Sequence, residues 1–314
     1  TDGVARFEIE NLTAGVKTVY VSYVGDHNYT GNFTTANFTV YKHKSTVSAE
    51  VESIHVGENV TIKVKVPTDA TGQVLLDIEG VGQYYVNVTE GEGSITIPYI
   101  PYGQYDVNVT YTGDDKYLGS SNVAAFDVDK VSSFVIPTAY DIIVGENEVI
   151  TLTVPADATG NVTVVIAGES YTFVLNQGTL GAQYREGEKY TVAISGGNGE
   201  LVIEGLPVGE YIVSVKYNGD DKYLQSANET AFKVSKRTTD MEVIDQGNGT
   251  VVVILPENAT GNVTIVVENQ TYVANVTNGT AIINLTNVTP GEHNITVIYS
   301  GDENYNSTTE NSTI

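Results

Sequence analysis

Apolar and polar side chains alternate along much of this chain. Between positions 105 and 111, Tyr105, Val107, Val109 and Tyr111 fall on one face and Asp106, Asn108 and Thr110 on the other, the period of two that marks a half-buried β-strand. Tyr211, Val213, Val215 and Tyr217 repeat the pattern. Other short apolar runs, Asn59 to Pro67, Gln83 to Thr89, Ser94 to Ile100 and Phe126 to Val128, are separated by Gly, Pro, Asn and Asp, residues that end strands and open turns. Helical periodicity appears nowhere in the sequence. The pattern predicts an all-β fold of packed sheets rather than βαβ units.

The strands recur in register with three landmarks. Tyr-x-Gly-Asp-x-x-Tyr occurs at Tyr23 to Tyr29, Tyr111 to Tyr117, Tyr217 to Tyr223 and Tyr299 to Tyr305, at intervals of roughly 80 to 105 residues, the length of one sandwich domain. Ahead of each copy stands a turn glycine (Gly15, Gly103, Gly209, Gly291), three of them close behind Pro101, Pro207 or Pro290. The third landmark, Ala-Thr-Gly-x-Val, follows a proline in Pro67 to Val74, Pro155 to Val162 and Pro256 to Val263 and reads as a tight turn between the second and third strands. These marks divide the chain into a partial domain at 1–42 that aligns with the second half of a repeat, domains at 43–130 and 131–236, and a last domain at 237–314 whose final strand is shortened. Between its Ala-Thr-Gly turn and its Pro-x-Gly turn the domain at 131–236 carries an insertion, near 175–190, of roughly 18 residues, more than a hairpin needs.

Taken together, Ala-Thr-Gly-x-Val, Pro-x-Gly-x-Tyr/His and Tyr-x-Gly-Asp-x-x-Tyr resemble the group 3 bacterial immunoglobulin-like repeats, over nearly the whole chain. Arrays of this kind rich in Asn-x-Thr look like those of adhesin-like proteins on the surface of methanogenic archaea. The resemblance implies tandem immunoglobulin-like β-sandwiches in a linear array, with a non-enzymatic stalk or adhesion role in a large extracellular protein or surface fibre. It fixes no ligand, because one sandwich architecture serves many functions. Lys17 departs from the pattern, standing where the other copies have Tyr105, Tyr211 or His293.

Composition narrows the partners. With 15 basic against 39 acidic residues and a net charge of -24, the chain lacks the clustered Lys and Arg that phosphate backbones and anionic lipid surfaces demand, so neither nucleic acid nor membrane is an expected partner. Cysteine is absent, which removes disulfides and thiolate metal sites. No apolar run reaches the length of about 20 residues that spans a bilayer; any anchor or export signal is expected outside this window.

About twenty Asn-x-Ser/Thr sequons dot the chain, among them Asn32, Asn37, Asn87, Asn108, Asn161, Asn262, Asn275, Asn284, Asn294 and Asn306, each a candidate N-glycan acceptor on a translocated chain. Alternation offers a second reading, since Asn and Thr two apart suit the solvated face of a strand. The four Gly-Asp turns (Asp26, Asp114, Asp220, Asp302) supply too few oxygens each for calcium, which takes about six to eight, and suit an Asp capping its own turn. His27, His43, His55 and His293 occupy different repeat positions and form no ligand cluster. No cofactor, metal or catalytic constellation is expected. In the insertion, Tyr184 beside Arg185 offers a stacking face and a fork of donors, a candidate contact for a glycan or protein ligand; an elongated, glycine-rich β-hairpin is the plainer reading. The partial domain's segments Ala5 to Asn11, Lys17 to Tyr23 and Ala36 to Val40 read as strands with an exposed edge, expected to pair with preceding sequence or with another copy of the chain.

Overall fold

Alternating segments become strands where a ladder partner takes up their backbone groups. A computed structural model describes residues 3–166, 169–175, 182–183, 191–194 and 196–314, and among these no helix occurs. The chain divides into two compact units, Thr1–Val131 and Ser132–Ile314.

In the first unit, β1 (Gly15–Gly25) and β2 (Thr30–Val40) form an antiparallel hairpin. Eight strands follow: β3 (Ser48–Val51), β4 (Ile54–His55), β5 (Val60–Lys65), β6 (Gln73–Ile78), β7 (Gly82–Asn87), β8 (Glu92–Ile97), β9 (Gly103–Gly113) and β10 (Leu118–Asp129). They make two sheets, β3-β5-β8 and β4-β10-β9-β6-β7, in which β4 runs parallel to the end of β10. The sheets meet over a core that takes Val60, Ile62 and Val64 from one side and Val74, Leu76, Val107, Val109 and Tyr111 from the other. Truncating one such side chain, as in Leu76→Ala, costs about 2 to 5 kcal/mol.

The second unit holds β11 (Ile136–Thr138), β12 (Ile142–Ile143), β13 (Glu148–Thr153), β14 (Asn161–Ile166), β15 (Glu169–Leu175), β16 (Ala182–Gln183), β17 (Thr191–Ile194), β18 (Asn198–Ile203), β19 (Gly209–Tyr217) and β20 (Ser226–Ser235). These form the sheets β11-β13-β18-β16 and β12-β20-β19-β14-β15-β17. Then come β21 (Glu242–Asp245), β22 (Thr250–Ile254), β23 (Asn262–Val267), β24 (Gln270–Asn275), β25 (Thr280–Asn284), β26 (Asn294–Tyr299) and β27 (Thr308–Thr313), in the sheets β21-β22-β25 and β24-β23-β26-β27. The last sandwich closes over Val251, Val253, Val263, Ile265 and Tyr299. Between the two sandwiches of this unit, Arg237 Nε donates to the Val144 carbonyl at 2.9 Å.

Two expectations change. Ala5 to Asn11 forms no strand; its alternation leaves Phe7 86% and Ile9 59% exposed, since no ladder partner lies beside it among the described residues and an isolated strand does not persist. On either side of the insertion, β17 runs parallel to β15, Thr172 opposite Thr191, and within it β16 runs parallel to β18. A simple elongated hairpin gives antiparallel partners only, so the described backbone there is not one.

Candidate functional site

The repeated sequence landmarks meet in space at one end of each of the three sandwiches. In the Tyr-x-Gly-Asp-x-x-Tyr turn, one Asp114 carboxylate oxygen accepts the Lys116 N–H at 2.8 Å and the Tyr117 N–H at 2.7 Å, the Asx capping expected of such a turn. Asp26, Asp220 and Asp302 make the same pair of bonds. The preceding glycine is dictated by geometry: Gly113 has φ 88°, and a Cβ there would lie 2.6 Å from the Tyr117 carbonyl oxygen, a conformation and a clearance that only glycine tolerates.

The second carboxylate oxygen does what spacing alone does not disclose. It crosses to the Ala-Thr-Gly turn, where Asp114 accepts the Thr71 N–H at 2.8 Å and the Thr71 hydroxyl at 3.1 Å. Asp220 holds Thr159 at 2.6 and 2.9 Å, and Asp302 holds Thr260 at 2.7 and 3.0 Å. The motif's first tyrosine completes the clasp. Tyr111 donates its hydroxyl to the Thr71 carbonyl at 3.0 Å, Tyr217 to Thr159 at 3.0 Å and Tyr299 to Thr260 at 2.7 Å.

A second tie joins the same turns. The Tyr117 hydroxyl donates to Asp69 at 2.6 Å, and Lys116 pairs with the same carboxylate; Tyr223 and Lys222 repeat this on Asp157. One signal of this contact lay in the chain: Asp69 with Lys116 and Asp157 with Lys222 become Asn258 with Asn304 in the last sandwich, so the two positions change together.

Electrostatics follow the clasp. Burial pushes the Asp220 carboxyl up, but the N–H groups of Thr159 and Tyr223, the Thr159 hydroxyl and the Lys222 N–H outweigh it and bring the group down to about 2; Asp114 and Asp302 are lowered in the same way. Burial, with the Asp114 carboxylate beside it, pushes Tyr111 up to about 12. Each acid is thus an ionised acceptor whose oxygens already face donors, suited to locking two turns and not to proton transfer.

At the other end of the strand, the Tyr105 hydroxyl donates to the Pro101 carbonyl at 3.0 Å and Tyr211 to Pro207 at 2.8 Å, the tie that defines a tyrosine corner. Each ring stacks on the next strand, on Phe126 and Phe232, with centroids 5.3 Å apart. His293 places Nε2 2.6 Å from the Thr289 carbonyl, four positions upstream as in the tyrosine copies. Even Lys17 keeps the spacing, donating to the Thr13 hydroxyl at 2.8 Å.

All ten candidate sequon asparagines, Asn32, Asn37, Asn87, Asn108, Asn161, Asn262, Asn275, Asn284, Asn294 and Asn306, are exposed. Alternation puts the middle residue of several in the core instead: Val109, Val162, Val263 and Ile295 are buried. Tyr184 and Arg185 lie outside the described residues. Among the described residues no three His, Asp or Glu side chains converge on a metal position, and no helix is long and apolar enough to cross a membrane.

Among curated proteins none matches the chain. Among solved structures, the chain is similar to fibronectin(III)-like modules of Clostridium thermocellum CbhA, at 16% identity with 60% of this chain and 94% of that one covered and a TM-score of 0.24. It is also similar to the BSP domain of a biofilm associated protein, at 13% identity, 87% and 66% coverage and a TM-score of 0.25. A third similarity is to a protein of Corynebacterium diphtheriae described as membrane anchored, at 10% identity, 96% and 95% coverage and a TM-score of 0.27. The family model of the bacterial Ig-like domain (group 3) matches residues 47–129 and 238–314, together about half of the chain. The chain therefore belongs to the group 3 bacterial Ig-like domain family.

Proposed function

We propose that this chain is a non-enzymatic structural and adhesive repeat region of a large extracellular surface protein or fibre, of the adhesin-like kind, with N-glycans on its strand faces. The observation that carries this reading is the clasp of Asp114 with Thr71, rebuilt as Asp220 with Thr159 and Asp302 with Thr260. The recurrent polar residues go into holding one framework three times over, while function on a sandwich is expected in its loops. The division into a half repeat at 1–42 and repeats at 43–130, 131–236 and 237–314 follows the same landmarks. A tandem of such units acts as a spacer, its outer faces left for glycans. The insertion near 175–190, with Tyr184 and Arg185, is the segment on which a glycan- or protein-binding reading would rest.

The test is intact-mass analysis of protein purified from its native source, together with cell-surface immunolabelling. Mass above that of the bare polypeptide and labelling of unpermeabilised cells support the proposal. A bare mass removes the glycan half of it, and label confined to permeabilised cells removes the surface half.

A further inference from the structure

The hairpin β1-β2 exposes a surface that its sister hairpins bury. Alignment on the Tyr-x-Gly-Asp turn sets Val19, Val21 and Tyr23 against Val107, Val109 and Tyr111, and Phe38 against Phe126. In the sandwich, Val107 and Val109 are fully buried and Tyr111 and Phe126 are 1% and 3% exposed. In the hairpin, Val21 is 51%, Tyr23 47% and Phe38 39% exposed. The outer edge of β1 also has no ladder partner among the described residues, whereas β9 is paired by β6 through Val74 to Ile78, β19 by β14 and β26 by β23.

The three sisters show what covers such a surface. In each, the strand on the first of the two hairpin strands is the one that opens with Ala-Thr-Gly-x-Val, and its Thr is held by the turn Asp and the first Tyr. The hairpin carries both holders, Asp26 and Tyr23. Asp26 uses one oxygen for the N–H groups of Asn28 and Tyr29, the oxygen that Asp114 uses for its own turn; the other oxygen occupies the place that holds Thr71 in the sister. The position of Lys116 is taken by Asn28, as it is by Asn304 in the last sandwich, where Asn258 replaces Asp69.

We propose that the β1 edge and the Val19, Val21, Tyr23 and Phe38 face form a docking surface for the first half of a repeat of this same kind. Its third strand reads Pro-x-Asn-Ala-Thr-Gly-x-Val, as at Pro256 to Val263, and pairs antiparallel with Val19 to Tyr23. Main-chain pairing supplies affinity, and the Asp26 clasp on the incoming Thr sets register, the logic of strand addition at an open sheet edge. The proposal rests on the repeat reading above, which mass and localisation test separately.

The experiment titrates the full chain against a fluorescently labelled peptide of residues 256–267, read by anisotropy, with hydrogen exchange of the 19–23 amides as the second readout. Saturable binding is expected, with slowed exchange at those amides, at least tenfold weakening by Asp26→Ala in the chain or Thr260→Ala in the peptide, and loss with Val21→Lys. Val21→Lys sits on an already exposed position, so folding of the rest is checked by circular dichroism. Absence of binding to folded chain overturns the proposal, as does binding that survives Val21→Lys, which would mean invasion of the last sandwich. A concentration-dependent dimer of the chain alone, abolished by Val21→Lys and indifferent to peptide, also overturns it and assigns the surface to a second copy.

Discussion

Asp114 and Thr71, 43 positions apart, are joined by two hydrogen bonds, from the Thr71 N–H at 2.8 Å and from its hydroxyl at 3.1 Å. The bonds end on a carboxylate whose other oxygen already caps the following turn. One side chain thus fixes the relative position of β6 and β9, neighbours in the larger sheet, at the end where both strands stop pairing. Charge-assisted bonds of this kind are stronger than neutral ones and costly to leave half made.

Asp114→Ala is accordingly expected to cost about 2 kcal/mol, the scale of bonds to a charged group, by orphaning the Thr71 and Tyr117 N–H groups. Scanning calorimetry of the full chain checks it as a lowered transition for one sandwich, with the others unmoved. Millimolar calcium is expected to leave every transition in place; a calcium-dependent rise would reassign the aspartate to a bound ion.

Two carboxylates in the sandwich of residues 136–235 pull stability in opposite directions with pH. Asp220 is depressed to about 2, so the stability it contributes is complete above the unfolded value near 4 and is lost as pH falls toward 2. Glu148 is 1% exposed; burial raises its carboxyl, only partly opposed by the Tyr140 N–H, which donates at 3.0 Å. Its unfolded form ionises first, so the folded state loses ground as pH rises through the unfolded value and beyond. Glu148→Gln, which keeps the acceptor and removes the charge, is expected to raise the transition temperature at pH 7 and to leave it nearly unchanged below pH 4. Equal effects at both pH values would mean that the buried charge is not the cause.

How much of this was legible in the sequence depends on range. Alternation around Val107 and Val109 places strand, face and core correctly because a period of two is a local property. The Asp turns are local too. The Asp114 to Thr71 bond is not, since it joins two turns whose separation is 61 positions in the copy with the insertion and 42 in the last, so no fixed spacing advertises it. Glu148 also escapes: it stands at the start of a strand where Val60 stands in the sister, a place where composition predicts a solvated acid and tertiary packing buries it. Ala5 to Asn11 shows the converse, an alternation without a ladder to realise it.

Glycan occupancy is expected to follow side-chain direction. Asn87, Asn108 and Asn294 point away from cores that bury Val86, Val109 and Ile295, so peptides containing them are expected to carry hexose-type mass additions in native-source protein. Enzymatic or chemical deglycosylation followed by peptide mapping reads this site by site. The three sites found unmodified, with loop sequons such as Asn306 occupied, would show that ladder position excludes the transferase.

The clasp also predicts how its members rank. Lys116 and Asp69 form an ion pair with both side chains more than half exposed, and such pairs gain little against solvent screening and side-chain entropy; Lys116→Ala is expected to leave the transition temperature unmoved within error. Tyr105→Phe keeps the stack on Phe126 and loses a hydroxyl bond near solvent, where water replaces the partner, so a small drop is expected. Tyr111→Phe is different. Its hydroxyl is delivered by a ring only 1% exposed to the carbonyl of the residue that Asp114 holds, and removing it is expected to cost about 1 to 2 kcal/mol. Because both side chains act on Thr71, Tyr111→Phe and Asp114→Ala are expected to be non-additive, with a coupling of about 0.5 kcal/mol or more in a double-mutant cycle. Additivity within error would separate them into two independent contacts and remove the clasp as a unit.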